Sequence, residues 1–196
     1  MNEPFISLTE PSACLMLQML ILIPLAVGLL LFIMPERWRM AKGIIALAAT
    51  LFAGYISLML YSASPQMIPQ GDKVTKDCMT LFGSDLLGKA GGYLTFTVDG
   101  LSKLIVLFIS ILALLVLVYS ISYNRSSPTP HFSSWLLVTT ACSYGAVLSD
   151  NLILFVLFWG ILGITLYKLI PGKDEKSSAA AKKTMILIGA SDTIML

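Results

Sequence analysis

Charge is scarce in this sequence. Of 196 residues only 12% are Asp, Glu, Lys or Arg, against about 25% in an ordinary soluble domain. There is one histidine, and there are three cysteines. Cys14 and Cys142 fall in apolar runs, and Cys78 stands alone in a polar loop. Neither a metal-ligand spacing nor a disulfide framework can be built from them. The chain has no glycine-rich phosphate loop and no Ser/His/Asp set in a soluble segment, so nothing in it reads as a nucleotide, flavin or iron–sulfur site. No cofactor is expected in this chain, and any redox reaction would belong to other subunits. The net charge of +2 is modest and gives no case for a nucleic-acid partner.

What remains is apolar. Hydrophobic residues make up 57% of the sequence, and the mean hydropathy is +0.85. A helix needs roughly 20 apolar residues to cross a hydrocarbon layer of about 30 Å. In lipid the backbone must bond internally, so such runs must be helices. Runs at about 13–34, 43–61, 101–121, 132–148 and 151–170 qualify, and a sixth opens near 179 and is cut off at 196. The expected fold is an all-α polytopic membrane protein with five complete transmembrane helices and a truncated sixth. Its surroundings are a lipid bilayer. Ending inside a hydrophobic segment, the sequence reads as a fragment of a longer chain.

The first run makes a poor signal peptide, because residues 1–12 carry Glu3 and Glu10 and no base. It reads as a retained helix, kinked at Pro24 and ended by the turn Pro35-Glu36-Arg37-Trp38-Arg39. Arg37, Arg39, Lys42, Arg125, Lys168, Lys173, Lys176, Lys182 and Lys183 fall on one side of the membrane under this arrangement. Lys73, Lys76, Lys89 and Lys103 fall on the other, mostly in the long loop 62–100. The positive-inside rule then places the N-terminus outside. In that loop residues 93–99 alternate, with Leu94, Phe96 and Val98 opposed to Thr95, Thr97 and Asp99. Period two predicts a short β-strand.

Two patterns carry a resemblance. The first is Asp150-Asn151-Leu152, an apolar run, Phe158-Trp159 and Tyr167 in the fifth helix. The second is Val98-Asp99-Gly100-Leu101-Ser102, a long apolar helix, then Tyr119-Ser120-Ile121-Ser122-Tyr123. Along the chain, the second pattern followed by the first, they resemble the antiporter-like membrane subunits of respiratory complex I (NADH-quinone oxidoreductase), of Mrp cation/proton antiporters and of membrane-bound hydrogenases. The resemblance covers the N-terminal part of that fold. It implies a proton- or cation-translocating subunit of a redox-driven complex I-like or hydrogenase-like assembly. Its partners would be other membrane subunits and a redox arm. Its mechanism would be alternating proton occupancy of buried acids and bases. It implies the cytoplasmic (inner) membrane as location, and a further lysine on a seventh helix beyond Leu196.

At one position the sequence departs from that pattern. The family's acidic residue after Phe-Trp is Gly160 here. Gly160, Gly163 and Tyr167 share a helix face, which either packs closely or lines a hydrated path whose titrating group lies elsewhere. Asp192 is the candidate for that group. It lies roughly 14 Å along the sixth helix from Lys183, and its context resembles family members with an acid there. The other reading is a structural cap or ion pair.

On the fourth helix Ser133, Thr140 and Tyr144 form a hydroxyl stripe with Ser143 beside it. These groups either hold a water chain or bond the carbonyls one turn back. Lys168 reads as snorkelling to the interface, or as a proton-path lysine or a partner of Asp192. Lys103 reads the same way, with Asp99 four residues before it. Asp150 and Asn151 read as a helix cap, and His131 as a solvated loop residue. The candidate proton path is therefore Asp192, Lys168, Tyr144, Thr140, Ser133 and Tyr167. The absence of an acid at Gly160 keeps a second reading open, a non-conducting scaffold of the same family. A free-standing membrane enzyme or channel is a third.

Overall fold

The computed structural model describes residues 10–62, 96, 98, 100–123, 131–170 and 175–195. Within these, the side chains of residues 10–15, 36, 39, 121–123, 175–178 and 192–195 are not described. Six α-helices follow one another among the described residues: α1 Glu10–Ile33, α2 Arg39–Ser62, α3 Gly100–Tyr123, α4 Phe132–Leu148, α5 Leu152–Leu169 and α6 Glu175–Met195. Four are long and apolar enough to cross a membrane, over Met16–Ile33, Met40–Ser62, Gly100–Ser120 and Leu152–Leu169. Among the described residues the fold is all-helical, and the chain is a multi-pass membrane protein.

The ends of the helices follow from local chemistry. Pro24 is tolerated inside α1, where it is buried among neighbours. Pro35 ends the run, and a single 3-10 turn, Glu36–Trp38, hands the chain to α2. The Trp38 amide donates to the Pro35 carbonyl at 3.2 Å. Between α4 and α5 the turn takes only Ser149 to Asn151. The Asn151 side chain accepts from the Ile153 amide at 3.1 Å and caps α5, satisfying a donor the helix leaves free.

α4 is the shortest of the apolar helices, at 17 residues, and the most enclosed. It packs against α1, α2, α3 and α5. Its small residues allow this. At Gly28 of α1 a Cβ would lie 3.1 Å from Val138 and 3.2 Å from Leu137, so the two backbones meet closely. The core divides into two clusters. Leu20, Ala53, Ile56, Val106, Tyr144 and Leu148 form one. Leu31, Ala46, Ala49, Leu117, Leu136 and Leu137 form the other. Early α2 residues meet a late α3 residue and later ones meet an early one, so α2 and α3 run antiparallel.

The strand expected over residues 93–99 is not seen among the described residues of that stretch, Phe96 and Val98. Most of that stretch lies outside the described residues. Of it, Phe96 forms only an isolated antiparallel bridge to Ser149. Phe96 and Val98 instead rest on the first core cluster, and the Phe96 ring lies 6.4 Å from that of Phe158. α6 is helical but is not among the four candidate spans. Its opening turns carry Glu175, Lys176, Lys182 and Lys183.

Candidate functional site

The hydroxyl stripe of α4 resolves into two kinds of group. Thr140 Oγ1 donates to the Leu136 carbonyl at 2.9 Å, and Ser143 Oγ to the Thr139 carbonyl at 2.9 Å. Thr139 does the same toward Trp135 at 2.8 Å. These protons are spent within their own helix, the usual behaviour of Ser and Thr in apolar helices. Ser133 is buried. Tyr144 alone reaches another helix. It is 0% exposed, and its hydroxyl lies 2.8 Å from Ser110 Oγ on α3.

The direction of that bond follows from counting protons. Ser110 Oγ also donates to the Val106 carbonyl at 2.9 Å. A serine hydroxyl has one proton to give, so Tyr144 is the donor and Ser110 the acceptor. Tyr144, Ser110 and the Val106 carbonyl thus form a directed hydrogen-bonded line between α4 and α3.

Sequence reasoning missed Ser110, and it left Lys103 as a snorkelling or a proton-path lysine. Lys103 is 8% exposed within this chain, so its side chain is held among the helices rather than extended away from them. The signal was present in the spacing. Lys103, Val106, Ser110, Ala113, Leu117 and Ser120 are the buried residues of α3, and they recur every three or four positions, one face of a helix. Lys42 on α2 is buried in the same manner, at 4% exposure. His131 is likewise not a freely solvated residue. It adopts a left-handed backbone with φ 55° at the start of α4 and stacks on Phe32 with ring centroids 5.5 Å apart.

The α5 side is different. Only Leu154 and Thr165 of α5 are buried, and Thr165 donates to the Leu162 carbonyl of its own helix at 2.9 Å. A Cβ placed at Gly160 or Gly163 would meet nothing within 4 Å. The close packing considered for this face is therefore not supplied by the described part of this chain. Tyr167 is half-buried, and Lys168 Nζ lies 5.7 Å from the centre of its ring. Asp192 lies on the last turns of α6, and its side chain is outside the described residues. The candidate groups thus fall into two sets: Tyr144, Thr140 and Ser133 enclosed within the bundle, and Gly160, Tyr167 and Lys168 on its open α5 face.

Comparison with known proteins reaches the same family as the two sequence patterns. Residues 149–196, which contain α5 and α6, match the family described as "NADH:quinone oxidoreductase/Mrp antiporter, TM". The chain is 38% identical over 92 residues to a Na(+)/H(+) antiporter subunit of Staphylococcus haemolyticus, an alignment covering 45% of this chain and 12% of that protein. It is 37% identical over 97 residues to a Na(+)/H(+) antiporter subunit of Alkalihalophilus pseudofirmus, covering 47% and 12%. With the corresponding Na(+)/H(+) antiporter subunit of Staphylococcus saprophyticus it shares 33% identity over 117 residues, covering 55% and 14%. The chain thus resembles the antiporter-like family of complex I and the Mrp antiporters over part of its length. It matches only about an eighth of the length of the relatives named.

Proposed function

We propose that this chain is part of a subunit that moves cations, protons among them, across the cytoplasmic membrane within an assembly of several membrane subunits. The observation that carries this reading is the family match over residues 149–196. The names of the similar proteins favour cation/proton exchange. Coupling to a redox arm, as in complex I or a hydrogenase, is the second form of the reading and draws on the family description alone. The inner side of the membrane would be that of the α1–α2 turn and the α5–α6 linker, with the start of α1 outside. That orientation rests on the bases at Arg37, Arg39, Lys168, Lys173 and Lys176.

Asp192 would be the titrating group, since Gly160 offers none. An ionisable side chain at mid-membrane costs about 2.5–3.5 kcal/mol, a cost that function would offset. Tyr144 and the α4 hydroxyls would serve as relay groups, and Tyr167 and Lys168 as the approach from α5. The scaffold reading remains the alternative because of Gly160. The two separate in everted membrane vesicles holding the complete assembly, with a pH-sensitive dye reporting cation-driven proton movement. Asp192→Asn should abolish the signal while leaving assembly intact. An unchanged signal would favour the scaffold.

A further inference from the structure

Ser57 is 1% exposed, and its hydroxyl has no hydrogen-bond partner among the described residues. This is unusual for an apolar helix, where a serine ordinarily bonds the carbonyl one turn back. Thr50, two turns earlier on the same buried stripe of α2, does so toward Ala46 at 2.6 Å. An unpaired buried hydroxyl is costly, and native interiors commonly satisfy such groups with an ordered water.

The packing shows which groups share this layer. Ala53 and Ile56, one turn before Ser57 and immediately before it, pack in one cluster with Val106 and Tyr144. A Cβ at Gly54 would lie 3.9 Å from Ser110 Cβ, which fixes the level of α2 against α3. Because the two helices run antiparallel, Ser57 falls between the levels of Ser110 and Lys103. Tyr144 gives its one proton to Ser110, so its oxygen keeps the capacity to accept. An orphan hydroxyl and a hydroxyl oxygen with spare acceptor capacity thus occupy one layer of an otherwise apolar core.

We propose that α2, α3 and α4 enclose a site for one ordered water, held by the Ser57 hydroxyl and donating to the Tyr144 oxygen. The water joins Ser57 to the line Tyr144–Ser110–Val106 carbonyl, so that three helices share one hydrogen-bonded chain. The buried Lys103 lies two turns from Ser110 on the same face of α3. This inference rests on the packing of α2 to α4 and is independent of the transport reading.

The test is X-ray hydroxyl-radical footprinting of the full chain in detergent micelles, read by mass spectrometry. Bulk radicals do not reach a tyrosine with no exposed surface, whereas a bound water generates them in contact with it. With rates normalised for intrinsic reactivity, Tyr144 should label at least several-fold faster than the equally buried Leu117 and Leu137. Ser57→Ala should lower the Tyr144 rate at least threefold and should lower the melting temperature, because the water loses its anchor. Tyr144 labelling no faster than those leucines overturns the proposal. So does a rate unchanged by Ser57→Ala. A Ser57→Ala protein that melts at or above the native temperature also overturns it, since removing a dry orphan hydroxyl stabilises.

Discussion

The contact between α4 and α5 turns on one missing methyl group. A Cβ built on Gly145 would lie 2.5 to 2.7 Å from three carbons of the Phe158 ring. Carbon atoms pack best at about 3.5–4.0 Å, so Gly145→Ala requires the ring to retreat by roughly 1 Å. That retreat moves a partly buried ring against Phe96, whose ring centroid lies 6.4 Å away, and the short Ser149–Asn151 turn ties α5 to α4. Overpacking of this kind costs about 1–3 kcal/mol. Replacing a helical glycine by alanine returns about 0.5–1 kcal/mol. The net expectation is a loss of up to about 2.5 kcal/mol in unfolding free energy. Gly160→Ala is the control, because nothing lies within 4 Å of its Cβ and only the gain in helix propensity remains.

The measurement is reversible denaturation in mixed micelles, followed by circular dichroism. In the Gly145→Ala background, Phe158→Leu removes the clashing ring. The double variant should be more stable than the sum of the two single changes predicts, by at least about 1 kcal/mol. Additivity within about 0.5 kcal/mol, or a Gly145→Ala protein as stable as Gly160→Ala, would refute the packing argument.

Three further outcomes are expected. Tyr144→Phe keeps the ring and removes the donor to Ser110, and should lower stability by about 0.6–1.7 kcal/mol, the range for hydrogen bonds between membrane helices, in the same denaturation assay. Gly28→Val should destabilise by about 1–3 kcal/mol, because Val138, Leu137 and the Ser134 carbonyl lie 3.1 to 3.3 Å from the first added carbon; normal thermal melting of this variant would count against the α1–α4 contact. Asn151→Ala removes the cap of α5 and should cost about 1 kcal/mol, with faster hydrogen exchange at the Ile153 amide than elsewhere in the helix.

The helices were legible in the sequence because lipid leaves the backbone no alternative. Long apolar runs had to become α1, α2, α3 and α5, and Pro35 and Asn151 marked ends by chemistry that acts over a few residues. The alternation over residues 93–99 decided less, because period two reports only that one face is covered and only Phe96 and Val98 of that stretch are described. A strand also needs neighbours to pair with, and Phe96 meets only Ser149 in this way. The hydroxyls of α4 were correctly placed on one helix, but which of them reaches outward was not readable. Thr140 and Ser143 spend their protons locally, whereas the partner of Tyr144 lies 34 residues away. Lys103 was judged by its distance from the helix end. Its three-and-four spacing with Val106 and Ser110 was the better guide, because position along a helix says nothing about which side faces the bundle.

The two sets of polar groups differ in what holds them. Tyr144, Ser110 and Lys103 are enclosed by helices of this chain, so their geometry is set as soon as α2, α3 and α4 have packed. Gly160 faces outward from α5, and no described residue lies within 4 Å of a Cβ placed there. A carboxylate at position 160 would therefore have no buried partner among the described residues, and its loss removes no interaction that they make. The ionisable chemistry proposed for the α5 and α6 side finds no dielectric shell or counter-charge among the described residues around Gly160. The buried seam, by contrast, is enclosed by described helices of this chain. It follows that substitutions in the seam should act on the stability of this chain alone, in micelles.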